Sequence, residues 1–244
     1  MRGARKIFAG SQPTYLPWMG IFEQMMHADV FVICDGFQAT FPGWMNRNRI
    51  KGPGGALWLT APVARPHEAP LNEIRLFNER SWQKKHLRAI EMCYGKAPHF
   101  ERYIGRVREI YGAEWERLTE LTVTLIEYFR ECLGISKEME FSSRLELSGH
   151  KSALVIDLCR KTGCDAAYLA AGTRAYIDEG MFREAGIEIE RQDLEHPVYP
   201  QRYGEFVSHL SALDMLMNCG PESGEIIRRA GEESRRRGRL GAGV

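Results

Sequence analysis

Two rhythms of apolar positions run along this chain, and the switches between them mark out its elements. KIFAGS at 6–11 is a short apolar run that stops at Gln12-Pro13. Met19, Phe22, Met25 and Met26 then recur at three- and four-residue steps, before VFVIC at 30–34 gives an unbroken apolar run. The outer two segments predict strands and the middle one a helix. A strand apolar at every position is buried on both faces, as in a parallel sheet, so the three form a βαβ unit. ALWLTA at 56–61 predicts a third strand. Residues 81–134 are helical: Trp115, Leu118, Leu121, Leu125, Phe129 and Leu133 make one buried stripe, and Gly134 is placed to stop it. A second α/β run follows, with a helix opening at Ser148-Gly149-His150, a strand at 167–170, a helix at 176–185 and an alternating strand at 187–190. The loop HPVYPQRYGEF leads to a helix through Leu210, Leu213, Leu216 and Met217 that ends at Asn218-Cys219-Gly220-Pro221.

Strands alternating with helices predict an α/β fold with a doubly wound, mostly parallel, Rossmann-like sheet. The expected organisation is one α/β domain over 1–222 with a helical insertion at about 81–134. Residues 223–244 mix Gly, Glu and Arg without apolar periodicity and read as a flexible basic tail.

Composition narrows the class without naming it. The 244 residues are 44% hydrophobic and 27% charged with a formal net charge of +1, which gives no global attraction to nucleic acid or membrane. No apolar stretch approaches the roughly 18 residues of a membrane span, and the N-terminus lacks a signal-type apolar core, so no membrane insertion and a cytoplasmic location are expected. The six cysteines form no C-x-x-C pair and the histidines no i, i+4 pair, so no metal is predicted.

The candidate chemistry sits in loops. In open parallel sheets ligands bind beyond the carboxyl ends of the strands. The loop QPTYLPWMG leaves the first strand there, able to aim Gln12, Tyr15 and Trp18 into a crevice, with Gly20 allowing close approach; the alternative is a packed, rigid turn. Asp35 ends the second strand and Gln38 follows it. Asn46-Arg47-Asn48-Arg49-Ile50-Lys51 has no helical apolar face; its guanidiniums and amides suit a phosphate or nucleotide, and its bland alternative is a solvated hairpin.

Together QPTYLPWMG, ADVFVICDGFQ, WMNRNRIK, WLTAPV, WQKKH, YLAAGTRAYID and HPVYPQRYGEFVSHLSALDMLMNCG resemble the WbqC-like family, in order from about Gln12 to Gly220. That family is associated with bacterial surface-polysaccharide and natural-product biosynthesis. The resemblance implies transfer of a glycyl group to the amino group of a sugar. It carries over Gln12, Tyr15, Pro17, Trp18, Gly20, Asp35, Gln38, Asn46, Arg47, Asn48, Arg49 and Lys51 in the N-terminal pattern. In the C-terminal pattern it carries over Tyr168, Tyr176, His196, Tyr199, Gln201, Ser211, Asp214, Asn218 and Gly220. The chain departs from the family at Gly36, where an acidic or polar residue is usual, and near Thr40, where a lysine is. A weaker likeness is to the nucleotide-binding half of class I aminoacyl-tRNA synthetases and pantothenate synthetase, a nucleotidyltransferase-like (HUP-like) variant of the fold. Here Trp18-Met19-Gly20-Ile21 stands in place of their His-x-Gly-His, and Phe141-Ser142-Ser143-Arg144 looks like the synthetase's Ser-Ser-Arg stretch.

The expected function is therefore a small-molecule biosynthetic enzyme joining an activated carboxyl, glycyl, aminoacyl or other acyl, to an amine such as a nucleotide-linked amino sugar. Asp35 or His196 would be the base and Gln12 would polarise the carbonyl. Tyr15, Trp18, Gln38, Asn46, Arg47, Asn48, Arg49, Lys51, Tyr176, Tyr199 and Gln201 would bind substrate. No G-x-S-x-G elbow supplies a nucleophile, which favours direct attack. The alternatives are an ATP-dependent amide ligase working through an acyl-adenylate, with ATP as cosubstrate, and a non-catalytic nucleotide-sugar binding module. An aminoacyl-tRNA donor is a less favoured partner.

Overall fold

The computed structural model describes residues 5–39, 41, 43–64, 69–78 and 81–241. Five strands, β1 (Ile7–Ser11), β2 (Val30–Ile33), β5 (Met139–Phe141), β6 (Ala166–Leu169) and β7 (Glu188–Arg191), form one sheet in the order β5-β2-β1-β6-β7. Every pairing in it is parallel. Alternate side chains enter two separate cores. Phe8, Val32, Ala167 and Leu169 pack with α5 (Ser152–Lys161) and α6 (Glu179–Glu184) on one face. Ala9, Phe31, Ile33 and Tyr168 pack on the other with α1 (Met19–His27), α2 (Trp82–Tyr94), α3 (Phe100–Gly112), α4 (Leu118–Cys132), α7 (Ala212–Cys219) and α8 (Ser223–Gly241). Helices on both faces of a parallel sheet make this a doubly wound, Rossmann-like α/β fold. Its order reverses between β1 and β6, where chain connections diverge to opposite sides and leave a crevice at the carboxyl edge.

Several elements differ from the sequence reading. The strand expected at 56–61 is β4 (Gly55–Thr60). It joins no parallel neighbour but pairs antiparallel with β3 (Arg47–Gly52), so the basic stretch Asn46–Lys51 is largely a strand of a hairpin. β5 has no counterpart in the reading, because a three-residue edge strand with half-exposed Met139 and Phe141 carries too little apolar signal. The helix expected from Tyr176 begins at Glu179, capped by the Asp178 carboxylate, after a 3-10 turn at Ala171–Ala175.

The basic tail is the helix α8. Its buried face is Ile227 together with Ser223, Gly224, Ala230, Gly231 and Ser234, five small residues at helical spacing that carry little apolar signal yet allow close approach. A methyl group on Gly224 would collide with the Leu133 carbonyl, and one on Gly231 with Glu23. Across that contact Arg235 forms an ion pair with Glu23 of α1, a carboxylate 1% exposed that also accepts from Tyr168 Oη (3.0 Å) and Gln192 Nε2 (2.7 Å). Residues 242–244 and Thr40 lie outside the described residues. Among the described residues no helix is long and apolar enough to cross a membrane, and no group of three or more His, Cys, Asp or Glu side chains could hold a metal ion.

Candidate active site

At the carboxyl edge the chain leaves β1 at Gln12, β2 at Asp35 and β5 at Ser142, and these exits surround a cleft of about 800 Å³. Its remaining wall is Gly149, His150 and Lys151 before α5, the apolar Leu145, Leu147, Leu154 and Val155, and Tyr176 beyond β6. Residues from both sides of the β1/β6 divide thus line one cavity.

Asp35 organises the cleft from behind. It is 6% exposed, and its carboxylate accepts from Ser142 Oγ (3.1 Å), the Ser143 backbone N–H (3.0 Å) and Ser143 Oγ (2.6 Å). Ser142 Oγ in turn accepts from the Gly36 N–H (3.0 Å). With its hydroxyl proton committed to Asp35, Ser143 offers the cleft only lone pairs, which suits it to accept from a substrate N–H or O–H. Asp35 itself braces this arrangement, both of its carboxylate oxygens accepting from the two serines. Gln12 donates through Nε2 to the Gln38 carbonyl (3.1 Å) and lines the cleft with it. His150 and Lys151 are exposed in the lining, and α5 behind them has no side-chain cap and no acidic residue in its first turn. In its first turn the Ala153 N–H donates to the His150 carbonyl (3.1 Å), and no side chain caps the helix. Tyr176 is 46% exposed there, its phenol raised above the ordinary range by desolvation and then by the Cys34 thiol.

The other residues singled out in the sequence lie elsewhere. Tyr15 is fully buried and points into the protein, where its hydroxyl contacts His86 Nδ1 (2.8 Å) and the Tyr111 hydroxyl. The opening loop is the packed turn: Tyr15 N–H donates to Met45 O (3.0 Å), Leu16 O accepts from Asn48 Nδ2 (2.6 Å), and Pro17 O accepts from Ala212 N–H (2.8 Å). Leu16 takes a φ of 46°, a left-handed conformation held by these three ties. Gly20 makes room for the ring of Trp18, which would overlap any side chain there, rather than for a ligand. Trp18 is half-buried and stacks on His209 with centroids 5.5 Å apart.

Asn48 of β3 and Asn46 just before it are buried, and Asn46 Nδ2 donates to Ala61 O (2.9 Å). Arg47 and Arg49 face outward over Trp58, outside the cleft lining. Lys51, Tyr199 and Gln201 form a sealed network. Lys51 Nζ donates to Gln201 Oε1 (3.1 Å), while Tyr94 and Tyr199 donate to opposite oxygens of Asp214 (2.8 and 2.9 Å). Burial raises Asp214 above the ordinary carboxylate range, against the two phenols and Lys51. His196 bonds Pro197 O through Nδ1 (3.0 Å) among Tyr199, Phe206 and His209. Desolvation lowers its pKa, and it does not line the cleft.

This order of elements can be set against known proteins. A family model described as the WbqC-like protein family matches residues 12–226. The chain belongs to the WbqC-like family. It is 34% identical over 224 residues to an uncharacterized protein, Rv1507c, of Mycobacterium tuberculosis (strain ATCC 25618 / H37Rv), covering 89% of this chain and 95% of the relative. No solved structure matches it.

Within this WbqC-like chain, sequence reasoning found Gln12, Asp35, Gln38 and Tyr176 of the cleft and missed His150, Lys151 and the part played by Ser143. The missed group had a signal: Ser148-Gly149-His150-Lys151 is a polar stretch opening a helix after a strand, the place where a parallel sheet presents helix N-termini.

Proposed function

We propose that the protein is a small-molecule biosynthetic enzyme that forms an amide by transferring an activated carboxyl to an amine acceptor, such as a nucleotide-linked amino sugar, in the carboxyl-edge cleft. The observation that carries this reading is the convergence of a hydroxyl acceptor, an imidazole, an ammonium and an amide on one cavity at the β1/β6 divide. An acyl transfer to an amine needs a neutral amine held close to the carbonyl, a base for its proton and donors for the developing oxyanion. Ser143 Oγ, oriented by Asp35, accepts one amine N–H and fixes the nucleophile. His150 takes the proton released as the C–N bond forms and can return it to the leaving group. Gln12 turns its amide toward the carbonyl oxygen, and Lys151 with the N–H groups of α5 holds the anionic part of the substrate. His196 has no part in this scheme.

A second reading, amide ligation through an acyl-adenylate, is favoured by one observation: the uncapped start of α5 beside Lys151 suits a phosphate chain. The two differ in stoichiometry, since only the ligase releases pyrophosphate, and only when ATP and a carboxylate are both present. The deciding experiment incubates the protein with nucleotide-linked amino sugars and either aminoacyl or acyl thioesters, or ATP with free amino acids, and reads amide product by mass spectrometry. Product with a thioester alone supports the transferase; product requiring ATP, with pyrophosphate, supports the ligase. Saturable binding of the amino sugar with no product from any donor would leave a binding module instead.

A further inference from the structure

The hairpin β3–β4 carries a surface that the cleft does not explain. Trp44 and Trp58 are 49% and 45% exposed, with ring centroids 5.5 Å apart and planes inclined at 31°. The Arg47 guanidinium lies 4.7 Å from the centre of the Trp58 ring and that of Arg49 lies 5.5 Å from it. These four side chains and Gly43 line a cavity of about 480 Å³ that shares no residue with the carboxyl-edge cleft. Strand register accounts for the grouping: Arg49 sits opposite Trp58 across the hairpin, and Arg47 is two residues along on the same face.

Two features make this more than a solvated charged face. Among the described residues neither arginine pairs with a carboxylate, although twelve ion pairs bind other charges of the chain. Arg49 is also held in place, donating to the His209 carbonyl (3.3 Å) while its Nε is buried without a partner. Exposed tryptophans would ordinarily be disfavoured at a surface with nothing to bind. The chemistry of the lining then selects the ligand. Its side chains offer aromatic surface, guanidinium and indole N–H donors and positive charge, and no carboxylate, amide or hydroxyl acceptor. A neutral sugar needs acceptors for its hydroxyls as well as donors; a ligand that is planar at one end and anionic at the other needs neither more nor less than this set.

We propose that the Trp44–Trp58–Arg47–Arg49 surface is a nucleotide-binding site separate from the carboxyl-edge cleft, with a nucleobase stacked on the indoles and phosphate on the guanidiniums. The same chemistry is offered by a free nucleotide and by a nucleotide within single-stranded RNA. The inference goes beyond the amide-forming reading and stands without it.

The test titrates the full-length protein with uridine diphosphate, adenosine diphosphate and an eight-nucleotide oligouridylate, following tryptophan fluorescence and calorimetry. It compares wild type, Trp44→Ala, Arg47→Ala with Arg49→Ala, and Lys151→Ala in the cleft, each first checked for an unchanged melting curve. The expected result is quenching by at least one probe, with the affinity read from quenching about tenfold or more lower in Trp44→Ala and in the double arginine variant but unchanged in Lys151→Ala, since no tryptophan lines the cleft. If RNA is the source, the oligouridylate binds more tightly than either diphosphate, and its affinity falls with salt at a log–log slope near −1.4 that the double variant loses. If a free nucleotide is the source, the diphosphates bind at least as well. No quenching by any probe, or quenching lost in Lys151→Ala and retained in the hairpin variants, overturns the proposal. Amide formation is read in a separate assay, so either idea can fail alone.

Discussion

Asp35 and His86 are two buried titratable side chains with opposite tasks. The Asp35 carboxylate gathers three donors at the floor of the cleft, so Asp35→Ala leaves the Ser142 hydroxyl and the Ser143 N–H without their acceptor. The expected cost is about 2–3 kcal/mol in urea unfolding, together with lost turnover. Ser143→Ala should keep the fold within about 1 kcal/mol while losing turnover, since its hydroxyl is exposed in the cleft. His86 instead anchors Tyr15, and burial pushes its imidazole down to about 4. Its ordinary value is about 6.5, so between the two the unfolded chain binds a proton that the folded chain refuses. Stability is then complete above about pH 6.5 and falls as the pH drops toward 4, by up to about 3 kcal/mol. Urea midpoints at stepped pH should show that fall, and His86→Gln should flatten it. Neither role is written locally. Tyr15 and Lys51 look like ligand-facing groups because they are polar and lie in loop-like sequence, and only partners far along the chain, His86 and Gln201, turn them inward.

At the level of elements, legibility followed how much apolar surface each one buries in a recognisable period. β2 and α7 are largely or fully buried, β1 is a short apolar run and α4 buries one regular face, and all four stand out in the sequence. β3 does not, since Asn48 within it and Asn46 beside it are buried with their amides satisfied by backbone carbonyls and so read as surface. α8 packs through Ile227 and a face of Gly, Ala and Ser, which by sequence reads as a flexible tail. Its docking makes a sharp prediction: Arg235→Ala strands the Glu23 carboxylate, 1% exposed, without its counter-charge. The loss should be about 3 kcal/mol or more by chemical denaturation, and the added substitution Glu23→Gln should recover much of it. Arg228, exposed and paired among the described residues only with Glu225 and Glu232 of the same helix, should cost less than about 1 kcal/mol when replaced by alanine.

For the molecule as a whole, the sheet order puts the reversal between β1 and β6, and the cleft opens at that divide with β2, β5 and the start of α5 completing it. The fold class was legible, because apolar strands alternating with helices imply it, and so was the carboxyl edge at which the cleft opens. The membership of the site was only partly so: Gln12, Asp35, Gln38 and Tyr176 follow strand ends that were recognised, whereas Ser143 follows β5, which was not. His196 has suitable chemistry and stands in a stretch that resembles the family, but its ring packs against Tyr199 and Phe206. The central claim is that chemistry takes place in this cleft with His150 as the imidazole. The most direct test is the rate of amide formation by wild type, His150→Ala and His196→Ala, under the donor conditions that give product. The account predicts a loss of about 10²–10⁴-fold in kcat for His150→Ala and a nearly unchanged rate for His196→Ala. Full activity in His150→Ala with activity abolished in a folded His196→Ala protein would contradict it.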